Sequence, residues 1–207
     1  RKLMSIIKLN NRSVKDVTAF GSITSLGSLT HIATQTASSS ASVSFTSGID
    51  STYNEYIFYF VNIHIAGDSD DFGWQVNTAS QTGYNETVTS SAFATYHQES
   101  GGSIAVAYNV GSDQAQGTGI IQLTQNQGNS ADDNAGGFLH LFNPSQTNHV
   151  KHFISSCAYN HATVTPATLN LYAGGYVNST SAIDDIKFYT RSGGNIDSGQ
   201  ILLFGLS

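Results

Sequence analysis

The C-terminal segment reads Ser181-Ala-Ile-Asp-Asp-Ile-Lys-Phe-Tyr-Thr-Arg-Ser-Gly-Gly-Asn-Ile-Asp-Ser-Gly-Gln-Ile-Leu-Leu-Phe-Gly-Leu-Ser207. From Ile186 to Arg191 apolar and polar residues alternate, which is typical of a strand with one solvated face. The run from Gln200 to Leu206 is apolar at both alternating sets of positions, which predicts a strand buried on both sides. The glycines and Asn between the two runs suit a turn with positive φ. We therefore predict a C-terminal hairpin whose last strand closes the core.

Working back from this segment, the chain is a series of short strand patterns. The strongest is Tyr56 to Ile65, whose aromatic and β-branched residues occupy both faces and predict a central strand. Leu29 to Thr36 and Ala41 to Thr46 flank the Ser-rich segment Ser38-Ser-Ser40, which suggests another hairpin. Further strands are predicted at 72–77, 86–89, 93–96, 104–110, 117–124, 137–142, 150–159, 168–176 and 182–190.

These strands define the predicted fold class. No segment has helical periodicity beyond one turn, and nothing repeats at a fixed period. About a dozen short strands separated by Gly, Asn, Asp and Ser predict an all-β protein, an antiparallel β-sandwich of the jelly-roll-like kind. The sandwich domain is predicted to span residues 29–207.

Residues 1–28 are predicted to form an extended N-terminal arm. Their apolar residues follow no clean period, and Arg1, Lys2, Lys8, Arg12 and Lys15 are five of the eight basic residues of the chain. Such an arm suits docking on an acidic partner surface, whereas the alternative is a solvated tail. The candidate docking residues are Ile6, Ile7, Lys8, Leu9, Arg12 and Lys15.

Composition excludes several classes of function. The net charge is −6, and no Lys or Arg lies between Asp16 and Val150, so the body is a poor nucleic-acid binder. No apolar run approaches the roughly 20 residues of a membrane span, and the basic residues of the arm interrupt any signal peptide. Met4 is a candidate for an alternative start codon, and the sequence leaves both starts open. Cys157 is the single cysteine, so no internal disulfide forms, which suits folding in a reducing cytoplasm.

No catalytic motif is present, and we predict that the chain is not an enzyme and holds no cofactor or metal. The adjacent pairs Asp132-Asp133 and Asp184-Asp185 leave a carboxylate-based glycosidase as a minor alternative. The acidic loop with Asp68, Asp70 and Asp71 is interpreted as solvated, with a calcium site as the alternative.

Aromatic residues beside Asn and Gln suggest a second class of function, sugar binding. A ring stacks on the sugar, and the amides form hydrogen bonds with its hydroxyl groups. The candidate glycan-binding residues are Trp74, Tyr84 and Tyr96. The alternative reading of each is an ordinary core or rim aromatic of a sandwich.

Three groups of segments carry a resemblance to a known family. They are Ser5-Ile-Ile-Lys-Leu-Asn-Asn-Arg-Ser-Val-Lys-Asp-Val-Thr-Ala-Phe-Gly21; Phe45-Thr-Ser-Gly-Ile-Asp-Ser-Thr-Tyr-Asn-Glu-Tyr-Ile-Phe58 with Asn62-Ile-His64; and Phe138-Leu-His-Leu-Phe-Asn-Pro-Ser145 through Lys151-His-Phe153 to Gly194-Asn-Ile-Asp-Ser-Gly199. Together they resemble virion structural proteins of tailed bacteriophages of marine bacteria and cyanobacteria, often called tail-fibre-like. The matching segments are turns and strand cores, so they specify a fold and a family setting and carry no catalytic residue.

The resemblance implies a β-sandwich displayed on the virion as a tail fibre or head decoration. It implies docking through the arm onto other virion proteins, a homotrimer, and assembly in the host cytoplasm. Two classes of function therefore remain open after the sequence. The first is a structural virion component, and the second is a glycan-binding adhesin that recognises host surface polysaccharide.

Overall fold

The computed structural model describes residues 29–79, 81–163 and 167–206, which form thirteen strands and no helix. The strands are β1 (Leu29–Thr36), β2 (Ser42–Phe45), β3 (Glu55–Ile65), β4 (Phe72–Thr78), β5 (Val88–Gln98), β6 (Ile104–Tyr108), β7 (Gln114–Gly117), β8 (Ile121–Gln122), β9 (Ala135–Phe142), β10 (Lys151–Asn160), β11 (Ala167–Val177), β12 (Ile183–Thr190) and β13 (Ile196–Leu206). In these ranges no helix is long and apolar enough to cross a membrane.

The strands form two antiparallel sheets, which confirms the predicted all-β sandwich. The larger sheet has nine strands in the order β1-β13-β3-β9-β10-β11-β5-β6, with β7 also paired to β5. The smaller sheet has four strands in the order β2-β12-β4-β8. The strong strand β3 lies inside the larger sheet, as its sequence predicted.

Both predicted hairpins are wrong, because their strands lie in different sheets. β12 pairs with β2 and β4, whereas β13 pairs with β1 and β3. β1 and β2 are divided between the sheets in the same way. The same turn residues can reverse the chain within one sheet or carry it from one sheet to the other. The burial of side chains decides whether the next strand pairs with the preceding one or joins the opposite sheet. Gly199, at φ +115°, is required beside the β3 bulge, since a Cβ there would lie 2.6 Å from the Asn62 carbonyl oxygen.

The last strand also differs from the prediction of two buried faces. Ile201 and Leu203 are buried against the smaller sheet, whereas Leu202 and Phe204 are only half-buried on the opposite side. The apolar side chains of β13 therefore lie on two sides of the sheet, one side in the core and the other accessible to solvent.

Aromatic rings join the two sheets at the centre of the sandwich. Phe188 of β12 is fully buried, and its ring centroid lies 5.4 Å from that of Phe58 and 5.3 Å from that of Phe60. Phe45 and Phe72 complete the cluster from the smaller sheet. The pairs of Phe188 with Phe45 and Phe60 are edge-to-face, and aromatic pairs of this kind add stability beyond the apolar area that they bury.

The four-stranded sheet is too narrow to cover the nine-stranded one. Inward-facing residues remain buried as far as Ala92 of β5, but Ala105 and Ala107 of β6 do not. The β6 strand therefore projects beyond the core with both faces accessible.

We expect Phe188→Ala to lower the free energy of unfolding by about 3–5 kcal/mol, because it leaves a cavity between the sheets. Urea denaturation followed by fluorescence or circular dichroism measures the change. The matched control is Phe93→Ala, which removes a ring that is 45% exposed and should cost less than about 1 kcal/mol. Equal losses for the two variants would contradict the central role of Phe188.

Candidate functional site

The side of the larger sheet that faces away from the smaller sheet, here called the outer face, carries a row of rings. Strand register aligns one residue from each of six neighbouring strands across it. This aromatic row consists of Tyr59, Phe138, Ser156, Tyr172, Phe93 and Tyr108. Five of its six positions are aromatic, although the residues are distant in the sequence.

Two depressions lie side by side on the outer face. The larger, the groove, has a volume of about 630 Å³ and includes Thr95, Ile104, Val106, Ala158 and Asn170 in its lining. The smaller has a volume of about 340 Å³ and lies over the aromatic row between Phe138 and Phe93. Both have mainly apolar walls with a few polar groups, the usual character of a binding surface for a neutral ligand.

A chain of hydrogen bonds joins the two depressions. The Ser156 hydroxyl lies 3.0 Å from Asn170 Oδ1, and Asn170 Nδ2 donates to the Tyr172 hydroxyl at 3.0 Å. The Tyr172 ring stacks on Phe93 with centroids 4.8 Å apart and an interplanar angle of 12°. Because the Tyr172 oxygen accepts in this arrangement, its own hydrogen remains able to donate to a ligand.

The outer face carries almost no charge. From β3 to β6 its only carboxylate is that of Glu55, which contacts His140 Nδ1. At the β6 end the Tyr108 hydroxyl donates to Asp113 at 2.6 Å, and this hydrogen bond raises the pKa of the Tyr108 phenol. Tyr108 therefore stays neutral at physiological pH, and the charged group beside it is the Asp113 carboxylate.

The three predicted glycan-binding residues do not meet. Trp74 is completely buried, and its ring packs edge-on against Phe153 at 4.9 Å. This burial removes Trp74 from the candidates, because a sugar in solution cannot reach it. Tyr84 lies at the smaller sheet, where the Lys187 ammonium sits 4.6 Å from its ring centroid. Tyr96 is half-buried, packs against the core and contributes to the lining of the larger depression.

The aromatic row was missed by sequence reasoning, although its tyrosines are visible in the sequence. The alternation within each strand shows which residues share a face. The register between neighbouring strands decides which of these residues lie side by side, and the sequence does not show that register. The predicted docking residues Ile6, Ile7, Lys8, Leu9, Arg12 and Lys15 lie outside the described residues, as does the whole arm.

The acidic loop is bound to the protein itself. Asp71 accepts hydrogen bonds from Gln122 Nε2 at 2.5 Å and from the Asn126 amide at 2.8 Å, and its carboxylate lies 3.1 Å from Arg191 Nε. Asp70 accepts from the Ser192 amide and hydroxyl. Asp70 and Asp71 are therefore buried structural links between this loop and the turn after β12, which corrects the interpretation of the loop as solvated.

Cys157 and Asp133 are also engaged in the fold. No group of three or more His, Cys, Asp or Glu residues within 29–79, 81–163 and 167–206 is placed to hold a metal ion. Cys157 is buried, and burial raises the pKa of its thiol, so the reactive thiolate is disfavoured. The Asp133 carboxylate accepts from the Ser130 amide at 2.9 Å within a turn.

Comparison with known proteins gives no relative. No protein-family model, no curated protein and no solved structure matches the chain.

We expect Asp71→Ala to lower the free energy of unfolding by about 3 kcal/mol, because buried donors of Gln122 and Asn126 lose their acceptor. The control is Asp68→Ala in the same loop, where the side chain is exposed and the change should stay within about 0.5 kcal/mol. Calcium or EDTA should leave the unfolding midpoint of the wild-type protein unchanged. A midpoint raised by calcium and lost in Asp68→Ala would show a cation site in the loop.

Proposed function

We propose that this chain is a non-enzymatic structural protein on the surface of a tailed phage virion, either in a tail fibre or as a head decoration. The observation that carries the proposal is the outer face, where large apolar side chains are exposed among uncharged polar ones. These exposed apolar residues are Val61, Phe93, Ile104, Val106, Tyr108 and Ile154. Exposed apolar side chains gathered on one side of a sheet suit contact with other proteins. The family resemblance adds the virion setting and a homotrimeric assembly.

The described carboxylates support a structural role. Asp70 and Asp71 are committed to links within the sandwich, and Glu55 contacts His140. A hydrolase would need a pair of carboxyl groups facing a shared cleft, whereas the outer face offers one. Elsewhere, Glu99, Asp132 and Asp133 line a depression of about 220 Å³, where the Asp133 carboxylate is engaged by the Ser130 amide. The outer face itself provides contact area.

The charge distribution supports docking through the N-terminal residues. Five of the eight basic residues lie within the first fifteen positions, while the chain as a whole carries a net charge of −6. Electrostatic attraction to an acidic virion protein would therefore act on this segment and leave the sandwich displayed outward.

The decisive test is whether the protein is present on purified particles of the phage that encodes it. Immunogold labelling should place it on the particle surface, at the head or at the tail appendages. Replacing Lys8, Arg12 and Lys15 with Glu should strongly reduce its incorporation, because the substitutions reverse the charge of the docking segment. The control Lys187→Glu changes charge in the sandwich and should incorporate normally. Absence of the protein from purified particles would overturn the proposal.

A second function, glycan binding, is favoured by one specific observation. The Ser156–Asn170–Tyr172 hydrogen bonds lie between two depressions, beside the stacked rings of Tyr172 and Phe93. Neutral polar groups next to aromatic rings are how proteins hold uncharged sugars. We propose that a host polysaccharide would bind at this place, where the predicted residue Tyr96 lines the larger depression, and not at Trp74 or Tyr84.

For this second function, Tyr172→Ala should weaken binding to host surface polysaccharide by about tenfold or more, which corresponds to roughly 1.4 kcal/mol. Tyr84→Ala is the matched control, because it removes the same side chain from the smaller sheet and should leave affinity unchanged. Isothermal titration calorimetry or a glycan array measures the difference. Failure of the wild-type protein to bind any host polysaccharide would exclude the function.

A further inference from the structure

The edge strand β6 has the most exposed large apolar side chains of the described chain after Val110, which follows it. Ile104 is 70% exposed, Val106 73% and Tyr108 58%. All three project from the outer face, while the small side chains of Ala105 and Ala107 project from the other. Isolated exposed apolar residues are common, but three in succession along a sheet edge are not.

The backbone of β6 is also open along its free edge. The pairing of β6 with β5 uses the Ser103 carbonyl and the Asn109 amide at its two ends, so odd-numbered residues face β5. The N–H and C=O groups of Ile104, Val106 and Tyr108 consequently point away from the sheet. Within the described ranges no hydrogen-bond partner meets them.

The sequence of β6 is self-complementary. Ile104-Ala-Val-Ala-Tyr108 places large and small residues symmetrically about Val106. An antiparallel copy centred on Val106 sets Val106 against its own counterpart, Ile104 against Tyr108, and Ala105 against Ala107. Large side chains then meet on one face and alanines on the other, as cross-strand pairs require.

We propose that β6 pairs with β6 of a second copy of this chain, in an antiparallel arrangement about a two-fold axis at Val106. The outward N–H and C=O groups of Ile104, Val106 and Tyr108 then bond to their counterparts in the second copy. The larger sheets of the two copies become one continuous sheet. Two-fold pairing uses the same strand on both sides, so it closes with two copies.

The β6 segment itself adds no charge repulsion to the contact between two copies. Two chains of net charge −6 repel each other, but Ser100 to Ser112 contains no charged residue. Glu99 and Asp113 lie just outside the paired segment. The antiparallel register places Glu99 of one copy opposite Asp113 of the other, so like charges meet at both ends. Association should therefore strengthen as salt is raised, because salt screens this repulsion.

The opposite edge of the larger sheet provides a contrast. β1 presents mainly Thr, Gln and His side chains, which gain little from burial in an interface. Nor does β6 carry a Lys, a Pro or an inward-pointing charge, the usual devices that keep an edge strand unpaired.

The first test is analytical ultracentrifugation of the full chain. This contact is separate from the homotrimer of the proposed function, so the wild-type protein should double in mass as its concentration rises, from one chain to two or from three to six. Val106→Lys should not double, because two-fold pairing brings the two lysines together. Val61→Lys is the matched control, since Val61 lies on the outer face of an interior strand. It would disrupt stacking of two outer faces but leave edge pairing intact. A monomeric wild type, or loss of association in Val61→Lys alone, overturns the proposal.

The second test uses disulfide cross-linking to determine the register between the two β6 strands. Ala105 and Ala107 would form a closely spaced pair across the axis, within the distance that a disulfide spans. Ala105→Cys mixed with Ala107→Cys should give an oxidised dimer of one chain of each kind, whereas either variant alone should not. The native Cys157 is buried and should not interfere. A trimer without this cross-link would assign the assembly to another surface. The result is independent of where the protein sits on a virion.

Discussion

The structure depends on the cluster of phenylalanines that joins two sheets of unequal width. Phe188 packs against Phe58 and Phe60 of β3, the third strand from the β1 edge, and so fixes the four-stranded sheet away from the β6 end of the nine-stranded one. Because the core forms there, strands at the β6 end receive cover on neither side. The stable centre and the exposed inner side of β6 are therefore two results of one arrangement, because a wider second sheet would have covered Ala105 and Ala107.

The strands were predictable from the sequence, but their partners were not. Alternation and turn residues located β1 and β3 almost to the residue, because these signals arise within each strand. The pairing of β12 with β13 was predicted wrongly, since Ser192 to Gly199 can reverse the chain within one sheet or carry it to another. The two outcomes differ in which side chains become buried, and that depends on strands far away in the sequence.

For the candidate site too, the strands were predictable from the sequence but the contacts between them were not. Each ring of the aromatic row sits in a strand that sequence patterns identify, but Phe93 meets Tyr172 only through the register of β5 and β11. Trp74 illustrates the converse. A lone tryptophan among polar residues looks like a sugar platform, yet its ring is the largest fully buried side chain of the described core. Residue type indicated binding chemistry, and only the fold could place it on a surface.

An unprotected edge strand such as β6 promotes aggregation, so selection should remove it unless a partner covers it. A single Lys within Ile104 to Tyr108 would block pairing at little cost to stability, because these positions contribute little to the core. The segment instead combines β-branched residues, an unpaired backbone and a neutral surface, and the chain's acidic charge lies elsewhere. A strand with these properties in a free monomer is a hazard. In an assembled protein it is an interface, because a specific partner occupies the hydrogen-bonding groups that would otherwise recruit other chains.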